Sequence, residues 1–210
     1  MNTKSILDFI ESIGIIVASI TATLGLYAWR KEAKWKKRNE LAEEVLYNLY
    51  DARDRLRTIR NPFAHPSEGE TRSTSIQEST EEKSIRDYAY TTVERYNKNS
   101  EPFLKLEKLK HRYAMYFGKD NATLITDVLS IKDDIISASY KYARYTIERD
   151  KKINTHLNEA YIENQIQQLN KQIEIYASII WENYTDVDSI SSRIDAIINK
   201  QEAVLNRYIS

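Results

Sequence analysis

Apolar residues recur every three or four positions along most of the chain, which is the spacing of one face of an α-helix. The clearest stripe begins at Leu41 and steps by 4, 4, 3, 4 and 3 residues to Ile59. Only four Gly and three Pro interrupt the 210 residues, too few for a turn-rich β-sandwich or β-barrel. The pattern predicts an all-α fold, an elongated antiparallel bundle of four to five helices. Further stripes lie at 85–96, 103–117, 124–142 and 162–180. The last helix is predicted to open at Thr185, with Asp188 three residues later as in a capping box, and to bury a stripe that begins with Val187.

One segment near the start is apolar on every side. Residues 12–29 carry no charged side chain, and as a helix they would be about 27 Å long, close to the thickness of a bilayer's hydrocarbon core. A signal peptide would have its basic residues before the apolar run, whereas here they follow it. We therefore predict a single transmembrane helix at 12–29, with a buried core helix as the alternative.

The charges around this segment predict its orientation. Residues 1–38 hold seven basic and three acidic side chains, and most of the basic ones follow the apolar run. Under the positive-inside rule, 1–11 is a short extracytoplasmic N-terminus, 30–38 a basic juxtamembrane segment, and 39–210 a cytoplasmic bundle below the inner membrane. Six cations after the span would also bind anionic lipid headgroups: Arg30, Lys31, Lys34, Lys36, Lys37 and Arg38.

Two further patterns bear on partners. The whole chain has 31 basic and 31 acidic residues, so the part after residue 38 is mildly acidic, which argues against a nucleic-acid-binding surface. Inside the span, Gly14, Ala18, Ala22 and Gly25 lie along one stripe. Small residues in this arrangement let two membrane helices approach closely, so a second copy of the chain is a predicted partner. The lipid bilayer and an unidentified protein are the other predicted partners.

A long segment lacks helical periodicity. Residues 61–82 contain two of the three prolines and are dense in Ser, Thr and Glu. Such a segment is typical of a flexible or functional loop, here at the tip of the bundle.

Most catalytic signatures are missing from the sequence. The chain has no Cys and its four glycines are isolated, which excludes thiolate metal sites, cysteine nucleophiles and a glycine-rich phosphate loop. A carboxylate-bridged di-metal bundle needs paired Glu-x-x-His motifs, and the nearest approach is His156 with Glu159 and Glu163. We predict no metal and no cofactor.

One hexapeptide, RNPFAH at 60–65, carries candidate chemistry. It resembles the R-N-x-x-x-H motif of HEPN-type RNases, a family of helical bundles that cleave RNA without metal across a dimer. The resemblance implies that Arg60 stabilises charge on the phosphorane, His65 acts as acid and base, and Asn61 positions them. The alternative is a helix terminus, with Arg60 interacting with the dipole of the helix it ends and Pro62 stopping that helix.

Three functions therefore remain open at this point. The first is a single-pass membrane protein whose cytoplasmic bundle is a protein-interaction or self-assembly module without enzymatic chemistry. The second is an anchored HEPN-like RNase, in which case nucleic acid would be a partner. The third is a membrane-acting effector, possibly of host defence, whose span oligomerises and perturbs the bilayer.

Overall fold

The computed structural model describes residues 3–65, 67–154, 159–184 and 187–209. These residues form six α-helices and no β-strand, which confirms the all-α prediction. The helices are α1 (Thr3–Ile59), α2 (Thr80–Lys98), α3 (Glu101–Phe117), α4 (Lys119–Ile153), α5 (Glu159–Ile180) and α6 (Ser189–Ile209).

Helix α1 joins the apolar segment to the bundle without a break. It has 57 residues and is therefore about 85 Å long. The stripe from Leu41 to Ile59 is almost fully buried, as its spacing predicts, because these residues face the other helices.

The helices pack in two tiers that share α4. In the lower tier, the second half of α1 packs against α3 and α6, both of which run back toward residue 38, and α4 completes the four-helix group. In the upper tier, α2 and α5 pack along the second half of α4, with Tyr145 stacked on Tyr176 at 5.6 Å between ring centroids. The tiers meet at the end of α1, at the connection between α2 and α3 and at the connection between α5 and α6. Three of the connections between helices therefore lie at one level of the molecule.

The helix-free segment is folded against α2. Helix α2 begins at Thr80, capped by Ser79, so the segment is slightly shorter than the predicted 61–82. Its described residues are tied to α2 by Arg72, whose Nε donates to Asp87 at 2.9 Å, and by Gly69, whose backbone N donates to Glu94 at 2.8 Å. The structure thus shows an attached segment, and its flexibility stays a prediction.

The start of α6 differs from the prediction. The helix begins at Ser189, with the Asp188 carboxylate accepting from Ser191 N at 2.7 Å, so Asp188 is the N-cap and not the third helical residue of a capping box. Thr185 lies outside the described residues. Val187 is 87% exposed, and its predicted burial is wrong because it precedes Ser189, the first residue of α6, so the helical spacing does not apply to it.

Gly69 and Gly118 provide a matched pair of substitutions. Both have positive φ, 88° and 92°, but an alanine Cβ at 69 would lie 1.9 Å from the Asp87 carbonyl oxygen, whereas at 118 no atom lies within 4 Å. We expect Gly69→Ala to displace the segment from α2 and to speed trypsin cleavage after Arg72 by about tenfold or more. Gly118→Ala should incur backbone strain alone and leave that cleavage rate unchanged. Equal cleavage rates in both variants would contradict the close packing at Gly69.

Candidate functional site

The apolar segment of α1 is exposed on every side. All residues from 11 to 30 are exposed, including Ile15, Ile16 and Leu24. A helix in the core of a soluble protein buries at least one stripe of its surface, and nothing in the described part of the chain covers this one. Among the described residues, one helix is long and apolar enough to cross a membrane, and none of its apolar window is buried.

The basic segment that follows divides into two parts. Arg30, Lys31, Lys34, Lys36 and Lys37 are exposed, as a membrane-surface role requires. Arg38 is half-buried: its Nη2 donates to the Tyr116 carbonyl at 3.2 Å, and its guanidinium lies 5.8 Å from the centroid of the Tyr208 ring. Its guanidinium therefore fastens the ends of α3 and α6 to α1, a role that the sequence reasoning missed.

The small-residue stripe of the span is open. Gly14, Ala18, Ala22 and Gly25 are all exposed, and a Cβ built at either glycine would meet no atom within 4 Å. A second helix can therefore approach this stripe closely.

The Arg60 side chain is enclosed at the level where the two tiers meet. It is only 1% exposed, and its guanidinium makes five hydrogen bonds. Nη1 and Nη2 bind the two carboxylate oxygens of Asp188 at 2.7 and 2.8 Å. Nε and Nη2 donate to carbonyls at the end of α5, which belong to Ser178, Ile179 and Trp181 at 2.8 to 3.0 Å.

Asp188 links the same cation to α6. Its carboxylate also accepts from Asn183 N at 3.2 Å, in addition to the Ser191 cap. Burial alone would raise the pKa of Asp188, but the hydrogen bonds from Arg60 and the two backbone amides outweigh it and hold the pKa below its usual value. Arg60 and Asp188 together join the ends of α1 and α5 to the start of α6.

This geometry corrects the helix-terminus interpretation of Arg60. Helix α1 does end at Ile59, but the Arg60 guanidinium interacts with the C-terminal carbonyls of α5, not with those of its own helix. Because Asp188 and three carbonyls occupy its donors, the guanidinium cannot reach a phosphate in this conformation.

Asn61 and His65 lie in the segment that follows α1. Asn61 Oδ1 accepts from Phe63 N at 2.9 Å, which closes the turn after α1. His65 is exposed, with Nδ1 2.9 Å from Ser67 Oγ, and lines an open cavity of about 630 Å³ beside Phe63, Lys83 and Tyr88. The structure thus places His65 in contact with solvent and Arg60 inside the fold, and the geometry gives no support to their acting on one phosphate.

No group of His, Asp and Glu in the described ranges is arranged to hold a metal ion. His156 lies outside the described residues, and Glu163 is exposed on α5. The prediction of no metal or cofactor stays a prediction.

No protein-family model, curated protein or solved structure matches this chain. The exposed span with its basic segment can bind a bilayer, and the Arg60–Asp188 pair can hold the body of the molecule in one shape.

Proposed function

We propose that the protein is a single-pass membrane protein whose helical bundle lies in the cytoplasm and acts by self-assembly, without enzymatic chemistry. One observation carries the proposal: an apolar segment exposed on all sides belongs to the same unbroken helix whose second half forms the core of the bundle. In water, such a segment would expose a large apolar surface, which stable soluble proteins avoid.

The orientation follows from charge. Five exposed cations directly after the span favour the cytoplasmic side, and each contributes about 1 kcal/mol of attraction to anionic lipid at the membrane surface. The ends of α3 and α6 lie beside Arg38, so the lower tier begins close to the membrane surface.

Self-assembly is proposed through the span itself. The stripe of Gly14, Ala18, Ala22 and Gly25 presents small residues on one side of the helix, and close helix approach there permits the packing that drives association in lipid. A rigid connection through α1 would then place the bundles of two copies side by side.

The matched test places isoleucine at two positions of the span, one on the stripe and one away from it. Ala18→Ile adds bulk on the stripe, and Thr23→Ile adds bulk about 140° around the helix, where the native hydroxyl donates to Ser19 O at 2.8 Å. Two differently tagged copies should co-purify from membranes, and Ala18→Ile should reduce the co-purified fraction by about tenfold while Thr23→Ile leaves it unchanged.

The result that contradicts the proposal is equally specific. If neither variant changes co-purification, the stripe does not mediate assembly. If the full chain arrests bacterial growth and the arrest depends on the span, the membrane-acting effector becomes the better account. If cellular RNA is fragmented and His65→Ala abolishes the fragmentation, the RNase hypothesis replaces the proposal.

A further inference from the structure

A cavity in the upper tier has a wall suited to anions. It has a volume of about 330 Å³ and lies between α2, α4 and the turn at residue 72. None of the residues that line it carries a carboxylate: they are Arg72, Ser73, Arg86, Ala89, Tyr90, Ser139, Tyr140 and Ala143. Two guanidinium groups and four hydroxyl groups therefore surround a space with no acid in its wall.

The two arginines of the cavity wall differ in their hydrogen bonds. Arg72 is engaged, since it binds both carboxylate oxygens of Glu78 at 2.9 and 2.6 Å and Asp87 at 2.9 Å. The Arg86 side chain makes no hydrogen bond in the described part of the chain; its one ion pair is with Glu78, at 3.7 Å from Nε, beyond hydrogen-bond range. Lys83 also pairs with Asp87, at 2.6 Å, so two cations offset the two carboxylates of Glu78 and Asp87. The guanidinium of Arg86 thus keeps its donors available.

Ser139 supplies a second unpaired group. The residue is 1% exposed, and its Oγ has no hydrogen-bond partner among the described residues. An unpaired buried hydroxyl costs free energy, and a serine can bring its Oγ toward the cavity by a change of rotamer. Among the described residues, the Arg86 Nε is likewise buried without a hydrogen-bond partner.

We propose that this cavity binds a small molecule that carries a phosphate or carboxylate group. The oxyanion would accept hydrogen bonds from Arg86 and Ser139, as guanidinium and hydroxyl donors prefer. The remainder of the molecule would lie against Ala89, Ala143 and the ring of Tyr140. The volume is near the lower end for small-molecule sites, which suits a compact ligand rather than a dinucleotide.

The site does not depend on the membrane proposal, because it lies in the upper tier, away from the span. The test uses the full chain in detergent, with binding measured by titration calorimetry. The probes are phenyl phosphate, benzoate, and the uncharged benzyl alcohol as their control. We expect at least one of the two anions to bind at millimolar concentration and the alcohol not to bind; which anion binds identifies the oxyanion.

Three variants distinguish a binding site from a packing defect. Arg86→Gln and Ser139→Ala should each weaken binding about tenfold or more, since each removes a hydrogen bond to a charged group. Thr92→Val is the matched control, because Thr92 is also a fully buried residue with an unpaired hydroxyl but does not line the cavity. It should bind the anion as the native chain does.

Ser139→Ala also has a second readout. Removing an unpaired hydroxyl should leave the melting temperature unchanged or higher, so lost binding in this variant cannot be attributed to unfolding. The proposal is overturned if neither anion binds, if benzyl alcohol binds as tightly as the anions, or if binding is unchanged in both Arg86→Gln and Ser139→Ala.

Discussion

Replacing Arg60 with alanine is expected to destabilise the bundle by about 3–5 kcal/mol, because it leaves the buried Asp188 carboxylate without its cation. It also removes the donors that satisfy three carbonyls at the end of α5. For a chain of this size the loss corresponds to a fall in melting temperature on the order of 10 °C. Arg60→Lys should recover only part of it, since an ammonium group cannot reproduce the two-pronged contact with Asp188. Thermal unfolding of the full chain in detergent, followed by circular dichroism, measures both.

Arg53 offers a matched control on the same pair of helices. It also lies on α1 and faces α6, but its contact with Asp195 is 3.8 Å long and partly exposed. Exposed ion pairs contribute at most about 1 kcal/mol, so Arg53→Ala should shift the melting temperature only slightly. An Arg60→Ala variant as stable as Arg53→Ala would show that the joint between the tiers does not depend on this arginine.

The same pair gives a pH dependence with a defined sign. The pKa of Asp188 is lowered in the folded state, so its contribution to stability is present above the unfolded pKa near about 4 and is lost as the pH falls below it. Glu94 acts in the same direction, since hydrogen bonds from Lys98, Thr71 and Gly69 outweigh burial and lower its pKa to about 2. Asp188→Asn should flatten the acid limb of the stability curve relative to the native chain.

Because Arg60 is needed for folding, lost activity in an Arg60 variant would not identify a catalytic residue. His65 is exposed and can be tested directly.

An arginine in the middle of the span is expected to have the second large effect. Ile20 is 55% exposed at the centre of the apolar segment, and a charge at the centre of a membrane helix costs about 2.5–3.5 kcal/mol, or roughly 100-fold in the insertion equilibrium. Ile20→Arg should therefore move much of the protein out of the carbonate-resistant membrane fraction.

Tyr47→Arg is the control for this effect. Tyr47 lies on the same helix and is 66% exposed, but it faces water beside the bundle. The substitution introduces the same charge at a similar exposure, so it should leave the membrane fraction unchanged. If both variants fractionate alike, the exposed apolar segment is not held in a bilayer.

The helices followed from periodicity wherever one face of an element meets the core. Leu41, Leu49 and Ile59 are buried as their spacing predicts, because a 3.6-residue period and one buried face determine a helix almost alone. Gly118 lies between the predicted stripes at 103–117 and 124–142, and it has a φ of 92° that other residues rarely adopt. Local signals of this kind do not depend on distant parts of the chain.

The contact between Arg60 and Asp188, which joins the two tiers, could not be predicted because it depends on distant parts of the chain. Arg60 and Asp188 are far apart in sequence, and each has a plausible local role, as a helix end and as part of a capping box. The packing of α5 on α4 and of α6 on α1 brings the end of α5 and the start of α6 to Arg60. The same holds for the cavity at Arg86, whose wall combines α2, α4 and the turn at residue 72.

We propose that residues 12–29 cross a membrane with the bundle in the cytoplasm. The chain has no Cys, so single cysteines introduced by Ser5→Cys or Ser75→Cys report their own accessibility to a membrane-impermeant maleimide in bacterial spheroplasts. With the N-terminus outside and the bundle inside, position 5 should be labelled in intact spheroplasts and position 75 only after lysis. Labelling of position 75 in intact spheroplasts, or recovery of both variants in the soluble fraction, would contradict it.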